Sequence, residues 1–147
     1  MKPFRKPLLA AGLIALVGIG FLGTGDAFAM NTTDNQPKKA VKIVQTAGRQ
    51  QLGNFAPDFA RYNDDILFGE VWSKNDVLSL HDRSIVTVSA LIAQGITDSS
   101  LKYHMETAKK NGVTKDEMAE IITQLAFYSG WPKAWAAFGY AKDVYGE

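Results

Sequence analysis

Thr114-Lys115-Asp116-Glu117-Met118-Ala119-Glu120-Ile121-Ile122-Thr123-Gln124-Leu125 decides the fold class. Thr114 followed three residues later by Glu117 is a capping box, in which each side chain meets the other residue's backbone N–H at a helix start. Met118, Ile121, Ile122 and Leu125 then recur at three- and four-residue spacing, the stripe of an amphipathic helix. Gly130 breaks that helix, and Pro132 opens a last one to about Tyr145, with Ala134, Trp135, Phe138 and Ala141 on its inner side.

The same grammar extends upstream. Asp98 caps a helix that runs to about Asn111 and stops at Gly112. Ser79, with Asp82 three residues on, opens a helix from Leu80 to about Gln94 that Gly95 ends. Its run Ile85-Val86-Thr87-Val88-Ser89-Ala90-Leu91-Ile92 is apolar nearly all round, which predicts a central, buried helix. Pro57 suits a first helical position and opens a segment to about Phe68, and Val41 to Gln51 is a short amphipathic candidate. No stretch alternates like a strand with hairpin turns. The chain therefore reads as all-α, about six helices with short connections.

The N-terminal region is organised differently. Lys2, Arg5 and Lys6 precede an uncharged apolar stretch of 15 residues, Leu8 to Leu22, and Ala27-Phe28-Ala29 has the small-x-small form of a cleavage site. This is the pattern of a secretory signal peptide. A membrane span needs roughly 20 apolar residues, and Gly18, Gly20, Gly23 and Gly25 loosen the end of this one. The expected organisation is a signal peptide at 1–29, a polar tether at 30–40 and one helical domain at 41–147. The protein is then exported, to a bacterial periplasm or beyond, with no membrane attachment after cleavage. Asn31-Thr32-Thr33 matches a glycosylation sequon that matters only in a eukaryotic secretory pathway.

Three of the 16 basic and one of the 15 acidic residues lie in the leader, so the mature chain carries 13 and 14. So balanced a charge points to neither nucleic acid nor an anionic membrane surface as partner. The chain has no cysteine, which excludes disulfides and thiolate redox chemistry. Its two histidines, 23 positions apart, have no helical partners of metal-ligand spacing, so no metal site is expected. Phosphate-cradling glycine loops and nucleotide fingerprints are missing as well.

Several residues stand out for chemistry. His104 shares a helix face with Ser100 and Thr97, where an imidazole among hydroxyls suits general acid or base work or simply bonds a carbonyl. Glu70, in Phe68-Gly69-Glu70-Val71-Trp72, sits between apolar neighbours that would raise its pKa, or else at a helix end where Gly69 permits a turn. Arg83 suits a carboxylate clamp or a structural ion pair. His81 beside it reads as a cap or an exposed residue near the helix start. Trp72, Tyr128 and Trp131 belong to an aromatic set that fits core, subunit contact or pocket wall.

Together, Phe68-Gly69-Glu70-Val71-Trp72, Arg83, His104, Asn111-Gly112-Val113-Thr114 with Glu117, and Tyr128-Ser129-Gly130-Trp131-Pro132 resemble the carboxymuconolactone decarboxylase family over about Ala56 to Tyr145. The resemblance implies an alkylhydroperoxidase-D-like helical domain assembling as a homotrimer or homohexamer. It implies cofactor-free loss of carbon dioxide from a small lactone, as in the namesake conversion of 4-carboxymuconolactone to an enol-lactone. On it, His104 returns the proton, Glu70 positions or relays one, and Arg83, with Lys102 or Arg61 as substitutes, anchors a carboxylate. Trp72, Tyr128 and Trp131 line the substrate site. Thiol peroxidases of the family carry a Cys-x-x-C pair four residues before the histidine, where this chain has Thr97 and Ser100. Ser84 stands where the family usually has a glutamate, which removes a proton carrier. Export argues against the unstable cytoplasmic lactone itself, so another lactone or oxo-acid is expected. A non-catalytic periplasmic binder of small ligands is the alternative, and a peroxidase the least favoured reading.

Overall fold

Three helix starts in this chain are written by short-range side-chain caps, at Ser79, Asp98 and Thr114, and the structure uses all three. The computed structural model describes residues 39–146. The expected signal peptide and all but the end of the expected tether lie outside the described residues. Within them the elements are α1 (Ala47–Leu52), α2 (Pro57–Arg61) running on into a π-helix (Tyr62–Trp72), α3 (Leu80–Gln94), α4 (Ser99–Lys110), α5 (Lys115–Ser129) and α6 (Trp131–Tyr145). No strand occurs among the described residues.

Ser79 Oγ accepts from Asp82 N at 3.0 Å, Asp98 Oδ1 from Ser100 N at 2.8 Å, and Thr114 Oγ1 from Glu117 N at 3.2 Å. Glu117 closes the capping box by accepting from Thr114 N at 2.8 Å. These bonds satisfy N–H groups that have no partner inside the helix. Gly95 ends α3 in the left-handed region, φ 79°, and lets Ile96 N reach back to Leu91 O at 3.0 Å. Gly130, φ 100°, makes the tight corner between α5 and α6.

The core lies among α3 to α6. Val88 and Ile92 of α3, Leu101, Met105 and Ala108 of α4, Met118, Ile122 and Ala126 of α5, and Ala134, Ala137 and Ala141 of α6 are all buried, with Val113 from the α4–α5 turn. Each set recurs every three or four residues, so each helix turns one stripe inward. Ser84 and Asn111 fasten the edge of this core. Ser84 Oγ donates to Leu80 O at 2.8 Å and accepts from Asn111 Nδ2 at 2.9 Å, tying the start of α3 to the end of α4.

Four expectations need correction. The α3 run is not buried all round in the single chain: Ser84, Val88 and Ile92 face inward and Val86 is 58% exposed. Trp135 is 73% exposed rather than inward, because Ala134, Ala137 and Ala141 take the inner face of α6. The helix opened by Pro57 does not stop near Phe68. It continues through Gly69 to Trp72 in the wider π geometry, an unusual length for a form seen mostly as single turns. The segment before Ala47 is not helical. It lies as a strap against the π-helix and the turn after it, its backbone bonded to their side chains: Val41 N donates to Asn75 Oδ1 and Ile43 N to Ser73 Oγ, both at 2.8 Å.

His81 links two helix starts. Its Nδ1 lies 2.9 Å from Asp82 Oδ1 and its Nε2 3.3 Å from Glu117 Oε1. The hydrogen bond to Asp82, with Glu117 adding to it, holds the imidazolium above its ordinary pKa against a smaller opposing effect of burial. The folded state thus binds this proton more tightly than the unfolded chain. Its stabilisation is complete below the unfolded value of 6.5 and fades as pH rises through the higher folded value.

Two measurements check these assignments. Ile92→Ala, at a fully buried core position, is expected to lower stability by about 2–5 kcal/mol in equilibrium denaturation. For His81→Gln, the loss of Tm relative to wild type is expected to be larger at about pH 5.5 than at about pH 9. An equal loss at both would show that the charge on His81 contributes nothing.

Candidate functional site

The stripe of α4 that enters the core fixes where its polar residues go. Leu101, Met105 and Ala108 are fully buried, which leaves His104 on the flank of that stripe, half-buried, one turn after Ser100. His104 opens into a cavity of about 480 Å³. Ser99, Ser100, Tyr103 and His104 line it from α4, and Phe59, Asn63, Leu67 and Phe68 from α2 and the π-helix. Gln45 of the strap and Ala47, Gly48, Gln51 and Leu52 of α1 close the remaining side.

One half of this cavity is aromatic and aliphatic, the other amide and hydroxyl. Among the described residues, no Asp, Glu, Lys or Arg lines it. Burial accordingly pushes the His104 pKa below its ordinary 6.5, with no nearby carboxylate to oppose it. The imidazole is neutral at pH 7, offering one N–H donor and one basic nitrogen. The Tyr103 ring stands nearly perpendicular to it, centroids 5.2 Å apart.

Of the residues expected at the site, the single chain brings together His104 and Ser100. Glu70 is exposed and lines an adjoining groove with Lys42, Asp64 and Asp65, which meets the His104 cavity at Gln45 without Glu70 reaching that cavity. Trp72 is buried with its ring 5.7 Å from Phe68, and so backs the cavity wall without lining it. Arg83 is held by structure: its Nη2 donates to Lys74 O at 2.9 Å, and its buried Nε has no partner among the described residues. It does not line the cavity, and neither do Lys102, 3.5 Å from Asp143, and Arg61, stacked 4.5 Å over the Tyr62 ring. Tyr128 and Trp131 are exposed at the α5–α6 corner, where Trp131 meets Phe127 edge-on at 5.6 Å. Thr97 offers its carbonyl to Tyr140 Oη at 3.1 Å and does not line the cavity.

Asp64 was not singled out by any sequence pattern. Its side chain is fully buried in the π-helix. Oδ1 accepts from Gly48 N and from Asn63 Nδ2, both at 2.9 Å, and Oδ2 accepts from Arg49 N at 3.0 Å. Arg49 Nη1 approaches at 3.4 Å and its guanidinium also pairs with Asp65 at 2.6 Å. Burial works to raise the Asp64 pKa, but the bonds from Asn63, Arg49 and Gly48 together hold it below the ordinary carboxylate value. The partners lie 15 and 16 residues upstream, too far for a local motif to show.

Comparison with known proteins agrees with this architecture. The sequence profile of the "Carboxymuconolactone decarboxylase family" matches residues 57–143. A "4-carboxymuconolactone decarboxylase" of Acinetobacter baylyi is 38% identical over 96 residues, covering 65% of this chain and 70% of that protein. An "Uncharacterized 15.0 kDa protein in nqo9-nqo10 intergenic region" of Paracoccus denitrificans is 30% identical over 84 residues, 56% of this chain and 62% of its own. A match across more than half the chain, on an all-helical domain of this form, makes the protein a member of the carboxymuconolactone decarboxylase family.

Proposed function

We propose that the protein is a cofactor-free decarboxylase-type enzyme acting on a small lactone or oxo-acid, with His104 as the group that carries the proton. Family membership and the Acinetobacter relative support decarboxylase-like function at the level of the family. The observation that carries the finer reading is a half-buried imidazole facing a cavity large enough for a small ligand, with no charged side chain among the described residues lining it.

The chemistry makes three demands: a desolvated carboxylate, donors for the oxygens that gain charge, and a returned proton. When the carboxylate carbon–carbon bond breaks, carbon dioxide leaves and the electron pair moves into the conjugated lactone, whose oxygen becomes a dienolate. A proton must then bond to ring carbon, so each turnover consumes one. Phe59, Leu67 and Phe68 strip water from the departing carboxylate, and the hydroxyls of Ser99 and Ser100 and the amide of Asn63 supply donors for oxygens. A bound carboxylate favours the charged imidazole. His104, neutral in the free protein, therefore takes up a proton as substrate enters and delivers it to the dienolate.

The reading extends to assembly and location. Phe127, Tyr128, Trp131 and Trp135 are 56–83% exposed, and Trp131 and Trp135 share a cleft with Phe138. Apolar surface of this kind marks an interaction face, here taken as the contact of a homotrimer or homohexamer. Export to the periplasm or beyond follows from the leader's sequence pattern. It is the reason to test lactones and oxo-acids other than the namesake substrate.

Turnover of fresh 4-carboxymuconolactone by the chain from Met30 is expected to lose about 10²–10⁴-fold in kcat/KM in His104→Ala. Because kcat/KM reports the free protein and the protonated imidazole is the active form, wild-type kcat/KM is expected to be highest in acid. It then falls about tenfold per pH unit above a midpoint that lies below 6.5. Full activity in the variant would sink the role of His104, and saturable binding without turnover would favour the binding-protein reading. Sedimentation is expected to show a trimer or hexamer that Trp135→Glu weakens, with helical content unchanged.

A further inference from the structure

The wall of the His104 cavity formed by Gln45, Ala47, Gly48, Gln51 and Leu52 lies upstream of residue 57, where the family match begins. It is built by the strap and α1, and both are held by side chains of the π-helix and the turn after it. Val41 and Asn75 exchange two hydrogen bonds, Val41 N to Asn75 Oδ1 at 2.8 Å and Asn75 Nδ2 to Val41 O at 2.7 Å. Lys42 Nζ donates to Gly69 O at 2.6 Å and Ile43 N to Ser73 Oγ at 2.8 Å. The Asp64 carboxylate takes two N–H groups of the first turn of α1, Gly48 and Arg49, which would otherwise lack partners. Space at this junction is already full: a methyl group on Gly48 would lie 2.7 Å from Asp64 Oδ1 and 2.9 Å from Ala60 O.

Gln45 is set in a defined orientation. Its Oε1 accepts from Thr46 N at 2.9 Å and from Ala47 N at 3.0 Å. Both partners are N–H donors, so the atom between them must be the oxygen, and the –NH₂ end is left to donate. It has no acceptor among the described residues. Among the described residues the cavity contains donors of this neutral kind and no Arg or Lys, which suits a carbonyl or a single carboxylate better than two charges.

We propose that Gln45 and Gln51 determine specificity in the His104 cavity, their carboxamides meeting an acceptor oxygen of a lactone or oxo-acid with one carboxylate, and that Asp64 is the positioning residue that holds them there. This rests on the reading of the cavity as the reaction site. Gln45→Glu keeps the acceptor for Thr46 and Ala47 and puts a negatively charged oxygen where the –NH₂ stood, so it reads how close Gln45 lies to the charge of the bound acid.

The probe is muconolactone, a lactone with one carboxylate, beside its uncharged methyl ester. Binding is followed by the His104 ring resonances in nitrogen-15 NMR, which need no turnover. Wild type is expected to bind both. Gln45→Glu is expected to weaken the acid by about tenfold more than the ester, with the protein's melting unchanged. Asp64→Asn and Asp64→Ala are expected to raise amide exchange at Gly48 and Arg49 and to weaken both probes, Asn less than Ala. Where 4-carboxymuconolactone is turned over, these changes appear in KM rather than kcat. Wild-type binding at His104 that Gln45→Glu leaves with the same acid-to-ester ratio would overturn the specificity assignment alone. Failure of wild type to bind either probe would overturn the reading of the cavity, and this inference with it.

Discussion

The rotation of α4 about its own axis governs the site. At about 100° per residue, the buried positions Leu101, Met105 and Ala108 fall within a narrow arc, and His104 lies roughly 70° from its centre. That angle is large enough to take the imidazole out of the core and small enough to keep it half-buried. Its depressed pKa is a consequence of packing and needs no dedicated partner. Ser100 lies further round on the same side, so one rotational setting places a hydroxyl and an imidazole together at the cavity. Anything that shifts the core stripe of α4 therefore shifts His104 and Ser100 at the cavity.

The two histidines show how neighbours decide what one side chain does. His81 sits between Asp82 and Glu117 at two helix starts, and its charged form is favoured. Among the described residues His104 has no carboxylate in its cavity, and its neutral form is favoured. Glu117 takes part twice, closing the capping box of α5 and meeting His81 of α3. A residue that reads locally as a cap is also a link between helices.

Helices α3 to α6 were legible because their signals are short. Ser79, Asp98 and Thr114 cap residues two or three positions away, and Gly95 acts through its own φ. The stripe Met118, Ile122 and Leu125 also repeats within one helix. The strap was not legible, because its bonds to the π-helix and the turn after it join residues 27 to 34 positions apart and leave no periodic trace. The π-helix was not legible either: Asp64 within it, and Ser73 and Asn75 after it, bond to Gly48, Arg49, Ile43 and Val41, 15 to 34 positions upstream. Trp135 and Val86 were misplaced because periodicity reports which face is apolar, not which apolar residues the single chain buries. For the site, the motif residue His104 stands at the cavity, whereas Glu70, Arg83, Tyr128 and Trp131 share its motifs and not its location.

The charge balance of the cavity links these observations to mechanism. A site that pre-formed an ion pair with its substrate would hold an Arg or Lys, and the desolvation of that cation would be spent before substrate arrived. Here the cations near the fold are engaged elsewhere: Lys102 with Asp143, Arg49 with Asp64 and Asp65, and Arg83 with the Lys74 carbonyl. The free cavity presents neutral donors and a neutral imidazole beside apolar walls. Entry of an anion changes this at once, because its field favours the imidazolium and draws a proton to the side chain that must later release it. In the proposed reaction, substrate and proton would enter as a pair with little net charge, which is what a partly apolar cavity accommodates most readily. Ser84, fastened to Leu80 and Asn111, adds no second proton carrier. In the proposed reaction the proton economy of the site therefore runs through His104, with the depth of its burial setting the pH at which it works.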